Sequence, residues 1–163
     1  MKKLIAGVAS LVLSHGALAG SGAGSGAGTG AESGSDSRAV VLPAELSKTD
    51  IAGEAFNRED VNKTTHKDGH VTLDITSLLS SDKKFSSGMY KSGKTRIEVS
   101  EPYGVDEFMY FLEGSVTLTS SDGTLQTIEA GEGVTVPKEW TGIWETNGYS
   151  KIWVIYSAEE PSE

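Results

Sequence analysis

Asp106-Glu107-Phe108-Met109-Tyr110-Phe111-Leu112-Glu113-Gly114 decides the fold, read together with the stretch from Gly131 through Pro137 to Trp144. Between the two lie short alternating segments joined at Ser120-Ser121-Asp122-Gly123. This layout implies a small β-barrel with one carboxylate, Glu107, directed into its interior. Working outward, a period of two begins at about His70. Val71, Leu73 and Ile75 alternate with Thr72 and Asp74, and Thr95, Ile97 and Val99 alternate with Arg96 and Glu98. Val116 and Leu118 alternate with Thr117 and Thr119. Leu125 and Ile128 flank the next polar stretch, and Val134 and Val136 the one after. Each run is short and bounded by Gly, Ser, Asp, Asn or Pro, the pattern of an all-β sandwich or barrel.

Two segments break the alternation. Phe108 to Leu112 and Ile152 to Tyr156 are apolar on both faces. A strand with one wet face alternates cleanly. These two therefore need cover on their outer side, from the chain's own N-terminal arm or from a second subunit. An exposed patch this apolar is unusual on a monomer, so a homodimer with the arm contributing is expected.

The ends of the chain read differently. Met1-Lys2-Lys3, the apolar run Leu4 to Leu13 and the small-x-small triplet Ala17-Leu18-Ala19 read as a secretory signal peptide over residues 1–19. The apolar run is too short for a stable membrane span. Gly20 to Ser37 is nearly all Gly, Ala and Ser, a composition that cannot offset its own ordering entropy, and reads as a flexible linker. Residues 38–69 read as an arm, with a short helix or irregular structure between Val40 and Asp60. The barrel domain spans 70–158, and 159–163 form an acidic tail. The chain is expected to be periplasmic or secreted, with no membrane contact after cleavage. It has no Cys, so a packed core and not a disulfide frame must stabilise it. The formal net charge of −9 becomes more negative once Lys2 and Lys3 are removed, which argues against nucleic acid and anionic membranes as partners. No nucleophile motif, phosphate loop or dinucleotide fingerprint is present.

The two blocks resemble those of the cupins. Glu107 is followed by six residues and Gly114, and Gly131 by five residues and Pro137, which are the spacings of the two cupin blocks. One branch is more similar still, that of the (S)-ureidoglycine aminohydrolase-like and ethanolamine-utilisation-like cupins. Its typical features match Asp106-Glu107, Tyr110, Leu112-Glu113-Gly114, Val116-Thr117-Leu118-Thr119, Asp122-Gly123, Pro137, Trp140-Thr141-Gly142-Ile143-Trp144 and Lys151. The resemblance covers about Met89 to Tyr156 and implies a single jelly-roll barrel. It also implies four metal-ligand positions, and here the chain departs from the pattern. The two His positions of the first block fall on Glu101 and Tyr103, and the last falls on Gly142. Only Glu107 is filled in kind. Glu101, Tyr103 and Glu107 make a poor donor set for a divalent ion, so no cofactor is expected; a divalent metal on those three residues is the alternative.

Several side chains are candidates for a site. Glu107 is the candidate catalytic residue, since a carboxylate in an apolar cavity suits proton transfer. Tyr90, Tyr103, Glu107, Trp144 and Lys151 are the candidate ligand-binding residues. Trp144 shares a strand face with Gly142, which would leave room for a ligand. Lys151 is expected either to pair with a carboxylate at the barrel mouth or to sit at a solvated strand end. Tyr110 has the opposite parity to Glu107 and belongs outside the lumen. His66 and His70 flank the turn signal Asp68-Gly69 and read as surface residues. Two functions follow. One is an exported module that binds a small polar metabolite without metal. The other is a metal-dependent enzyme, resembling ureidoglycine aminohydrolase, that acts on a small nitrogenous compound.

Overall fold

A computed structural model describes residues 41–158. The expected signal peptide, the linker, the first residues of the arm and the acidic tail lie outside the described residues. The described chain begins with a short helix, α1 (Lys48–Ile51), and a 3-10 turn (Glu54–Asn57). Ser47 and Asp50 cap α1 reciprocally. The Asp50 N–H donates to Ser47 Oγ at 3.1 Å and the Ser47 N–H to Asp50 Oδ2 at 2.9 Å, satisfying two amides that the helix leaves free.

Eight strands follow: β1 (Asn62–Thr65), β2 (Val71–Leu79), β3 (Phe85–Ser92), β4 (Thr95–Val99), β5 (Asp106–Ser120), β6 (Leu125–Glu129), β7 (Gly133–Val136) and β8 (Gly142–Tyr156). The sheet thus begins at Asn62, inside the stretch read from the sequence as arm. The hydrogen-bonded order is β1-β2-β3-β8-β5-β6, with β4 on β8 and β7 on β5. Every pairing is antiparallel. The architecture is the all-β jelly-roll barrel expected from the sequence.

The two segments read as separate short strands on either side of Gly114 are one strand. β5 and β8 run antiparallel for fifteen residues each. β5 carries β7 on its first half and β6 on its second. β8 carries β4 on its first half and β3 on its second. The register of β5 on β8 shifts between Phe111 and Glu113 and again between Ser115 and Thr117. Such bulges bend a strand and raise its local twist, which curls this ladder around an interior. Gly114 sits in the bend with φ 70°, and a Cβ there would lie 2.0 Å from the Gly148 carbonyl oxygen. Only glycine permits that approach.

The bends split the apolar residues into two clusters. Inside the barrel, Phe111, Met109, Trp144, Tyr149, Trp153 and Tyr90 form the centre of the larger one. On the outer face, Ile75, Met89 and Ala55 pack with Leu46, Phe56, Val61, Leu112 and Ile152. The arm therefore covers part of the doubly apolar strands. Phe108, Tyr110, Phe85 and Tyr156 remain exposed on the same outer face. β2 corrects the simple reading of its alternation. Its apolar Ile75 points out beneath the arm, opposite Met89, while polar Thr72 and Asp74 share the interior-facing register with Ser92 and Tyr90.

His66 and His70 also differ from expectation. Their rings stack at 4.0 Å, and the His70 side chain is only 7% exposed. His66 Nε2 bonds Thr72 Oγ1 at 2.9 Å, and His70 Nδ1 bonds Asp68. The turn between β1 and β2 is a packed corner, because two imidazoles bury each other's faces there.

Candidate functional site

The site starts from strand parity. In β5, residues 107, 109 and 111 face inward. In β8, residues 149, 151, 153 and 155 face inward, and in β3 the partner of Lys151 is Tyr90. Asp74, Tyr90, Lys151 and Phe111 therefore form one row across β2, β3, β8 and β5. A charged row through a barrel interior must be satisfied internally.

Glu107 and Lys151 satisfy each other. Lys151 Nζ donates to Glu107 Oε1 at 2.6 Å, and both side chains are 1% exposed. The same ammonium lies 2.9 Å from Met109 Sδ. It also stands over three aromatic rings, 5.3 Å from the centroid of Trp144, 5.5 Å from Tyr90 and 5.9 Å from Tyr149. These distances fall in the range of cation–π attraction. The second Glu107 oxygen, Oε2, accepts from the Tyr103 hydroxyl. Burial, and after it the Glu107 carboxylate, holds the Tyr103 phenol well above its ordinary value, so it stays a donor. Burial likewise pushes Tyr90 up to about 12, and Tyr149 well above its usual range.

Asp74 is a second interior carboxyl group. Trp153 Nε1 donates to its Oδ1 at 3.2 Å. Burial pushes its pKa up to about 6, against the pull of the Trp153 hydrogen bond and of Lys151.

Tyr103 closes one end. It lies between β4 and β5, and the loop before β8 holds it in place. The Tyr103 N–H donates to the Trp140 carbonyl at 3.0 Å and the Gly104 N–H to the Lys138 carbonyl at 2.8 Å. The Tyr103 and Trp140 rings meet edge to face at 6.3 Å, both half-buried. Trp140 is held in turn by its Nε1, 3.1 Å from Ser120 Oγ.

The structure brings Tyr90, Tyr103, Glu107, Trp144 and Lys151 together. Lys151 does pair with a carboxylate, that of Glu107, and it is buried there and not at a solvated strand end. Gly142 does not leave room for a ligand. A Cβ there would lie 2.2 Å from the Thr119 carbonyl oxygen and 2.7 Å from the Trp140 ring. Glu101 is exposed. Of the three donors expected for a divalent ion, only Tyr103 and Glu107 meet, and they bond each other. Both Glu107 oxygens are engaged, one of them by a positive charge, so these donors do not fit a metal. Among the described residues no group of three or more His, Cys, Asp or Glu converges in a way that could hold one.

Tyr149, Met109, Trp153 and Asp74 were not foreseen. Tyr149 and Trp153 were within reach, since each lies two residues from Lys151 on one strand face. Met109 stands two residues from Glu107 in the same way. Asp74 gave no signal, because its strand reads as apolar-in until the arm is seen to cover the apolar side.

A bent antiparallel barrel with Glu107 aimed inward from its long central strand is a jelly-roll of the cupin kind. Residues 79–151 match the family model of the EutQ-like cupin domain. Among solved structures, a protein of unknown function of the DUF861 family from Pseudomonas syringae pv. tomato superposes with a TM-score of 0.53 at 17% identity. That match covers 58% of this chain and 43% of the other. This chain thus spans less than half the length of that protein. The EutQ protein of Clostridium difficile gives a TM-score of 0.49 at 20% identity, covering 60% of this chain and 76% of its own. No curated protein matches the chain.

Proposed function

We propose that this cupin-domain protein is exported and binds a small polar metabolite at the end of the barrel closed by Tyr103 and Trp140, without a divalent metal. The observation that carries this reading is the buried Glu107–Lys151 pair with Tyr103 on the free carboxylate oxygen. A buried ion pair is a poor source of stability, and apolar residues of similar volume would often serve as well. Its placement beside the half-buried Tyr103 suits a binding role. Swinging the Tyr103 hydroxyl away would present Glu107 Oε2 as an acceptor to a ligand donor, with Lys151, Tyr90 and Trp144 forming the wall behind. Glu107 would also be the group to exchange a proton with such a ligand.

A thermal-shift screen of small amides, ureides and hydroxy compounds tests the reading. A true ligand raises the melting temperature of the wild type and loses most of that effect in Glu107→Gln. A ligand that stabilises both proteins equally places binding elsewhere.

The competing reading is a metal-dependent enzyme resembling ureidoglycine aminohydrolase. The exposed position of Glu101 and the ammonium on Glu107 weigh against it. A homodimer fits the exposed outer-face aromatics.

A further inference from the structure

The interior cluster is organised around a point of positive charge. Lys151 Nζ contacts Glu107 Oε1 and Met109 Sδ and stands over the faces of Trp144, Tyr90 and Tyr149. A carboxylate with several aromatic faces is the chemistry that recognises an alkylammonium ion. A thioether and π-faces are poor partners for a hard divalent cation, which seeks oxygen or imidazole. The shell is therefore matched to the cation it holds, not to a metal. That cation arrives on β8, whose register fixes Lys151 between Tyr90 on β3 and Phe111 on β5.

We propose that the centre of this barrel is an alkylammonium-binding cage, filled by the chain's own Lys151, and that this internal cation stands in place of the divalent metal that the position of Glu107 would otherwise serve. The proposal holds whether or not a metabolite binds at the Tyr103 end. It carries a consequence for ligands. Lys151 already neutralises Glu107, so a second cation is repelled from the cage. An incoming ligand must be neutral or offer hydrogen-bond donors to Oε2.

The experiment removes the internal cation and supplies it from outside. Lys151→Ala lacks three methylenes and the ammonium, which together match n-propylammonium. Adding n-propylammonium is expected to raise the melting temperature of Lys151→Ala saturably, by ~4 °C or more at high millimolar concentration. The wild type should not respond, and n-propanol should do little for the variant. No saturable shift, an equal shift with n-propanol, or a variant that fails to fold with or without n-propylammonium overturns the cage. A second measurement uses the intact wild type. Calorimetric titration with Mn²⁺, Ni²⁺ and Zn²⁺ should show no binding that Glu107→Gln abolishes. Stoichiometric binding lost in Glu107→Gln would overturn the claim that Lys151 replaces the metal.

Discussion

Burial gives single residues of this barrel opposite responses to pH. Asp74 has its pKa raised to about 6 from an ordinary 3.8, chiefly by burial. The folded state then holds the proton more tightly than the unfolded chain. Its contribution to stability is complete below 3.8 and is lost as pH rises through about 6. His66 runs the other way. Burial, and then the neighbouring His70, lowers it from 6.5, so its contribution is complete above 6.5 and is lost as pH falls. Asp74→Asn keeps an acceptor for the Trp153 indole and removes the buried charge. It should stabilise the protein by ~1–3 kcal/mol above pH 7, with the gain vanishing below about pH 4. Urea unfolding of wild type and variant from pH 4 to 8 checks this; a gain independent of pH would refute the assignment. Glu107 and Lys151 were legible one at a time, from a motif and a strand position. A carboxylate partner for Lys151 was one of two options, but Glu107 could not be named as that partner, because sequence spacing does not show which strands become neighbours.

At the scale of elements, the barrel was legible because period-two runs bounded by turn residues have few other solutions. The continuity of β5 through Gly114 was not. A glycine between two apolar runs reads as a break, whereas here it permits a bend against Gly148 without ending the strand. The two apolar faces of β5 and β8 were visible as an anomaly, and the arm resolves part of it by setting Ala55 and Phe56 over Ile75 and Met89. The same arrangement hid Asp74. Once the outer face of β2 is buried, hydrophobic alternation no longer says which face looks into the barrel. The histidine corner was hidden for a related reason. Asp68-Gly69 correctly signals a turn, but a turn signal does not show that His66 and His70 stack across it.

For the whole molecule, the surface the arm leaves open is informative. Phe108 is 45% exposed, Tyr110 41%, Tyr156 50% and Phe85 40%, all on the outer face of β3, β5 and β8. A contiguous aromatic face of this kind usually meets another protein surface. The proposed homodimer would form through this face. Light scattering should give twice the chain mass, and Phe108→Glu should give the monomer mass. A monomeric wild type would leave the face for another partner. The acidic chain, the barrel and the arm thus present one covered face, one open aromatic face and one end closed by Tyr103 and Trp140.

Glu107 and Lys151 form one buried unit inside that barrel. The most direct test is a double-mutant cycle by urea unfolding on Glu107→Gln, Lys151→Met and the pair. Each single change strands a buried charge and should cost ~3–5 kcal/mol, while the double variant should cost less than the sum by ~2 kcal/mol or more. Costs that add to within ~0.5 kcal/mol would mean that the two residues do not act together, and would contradict the account.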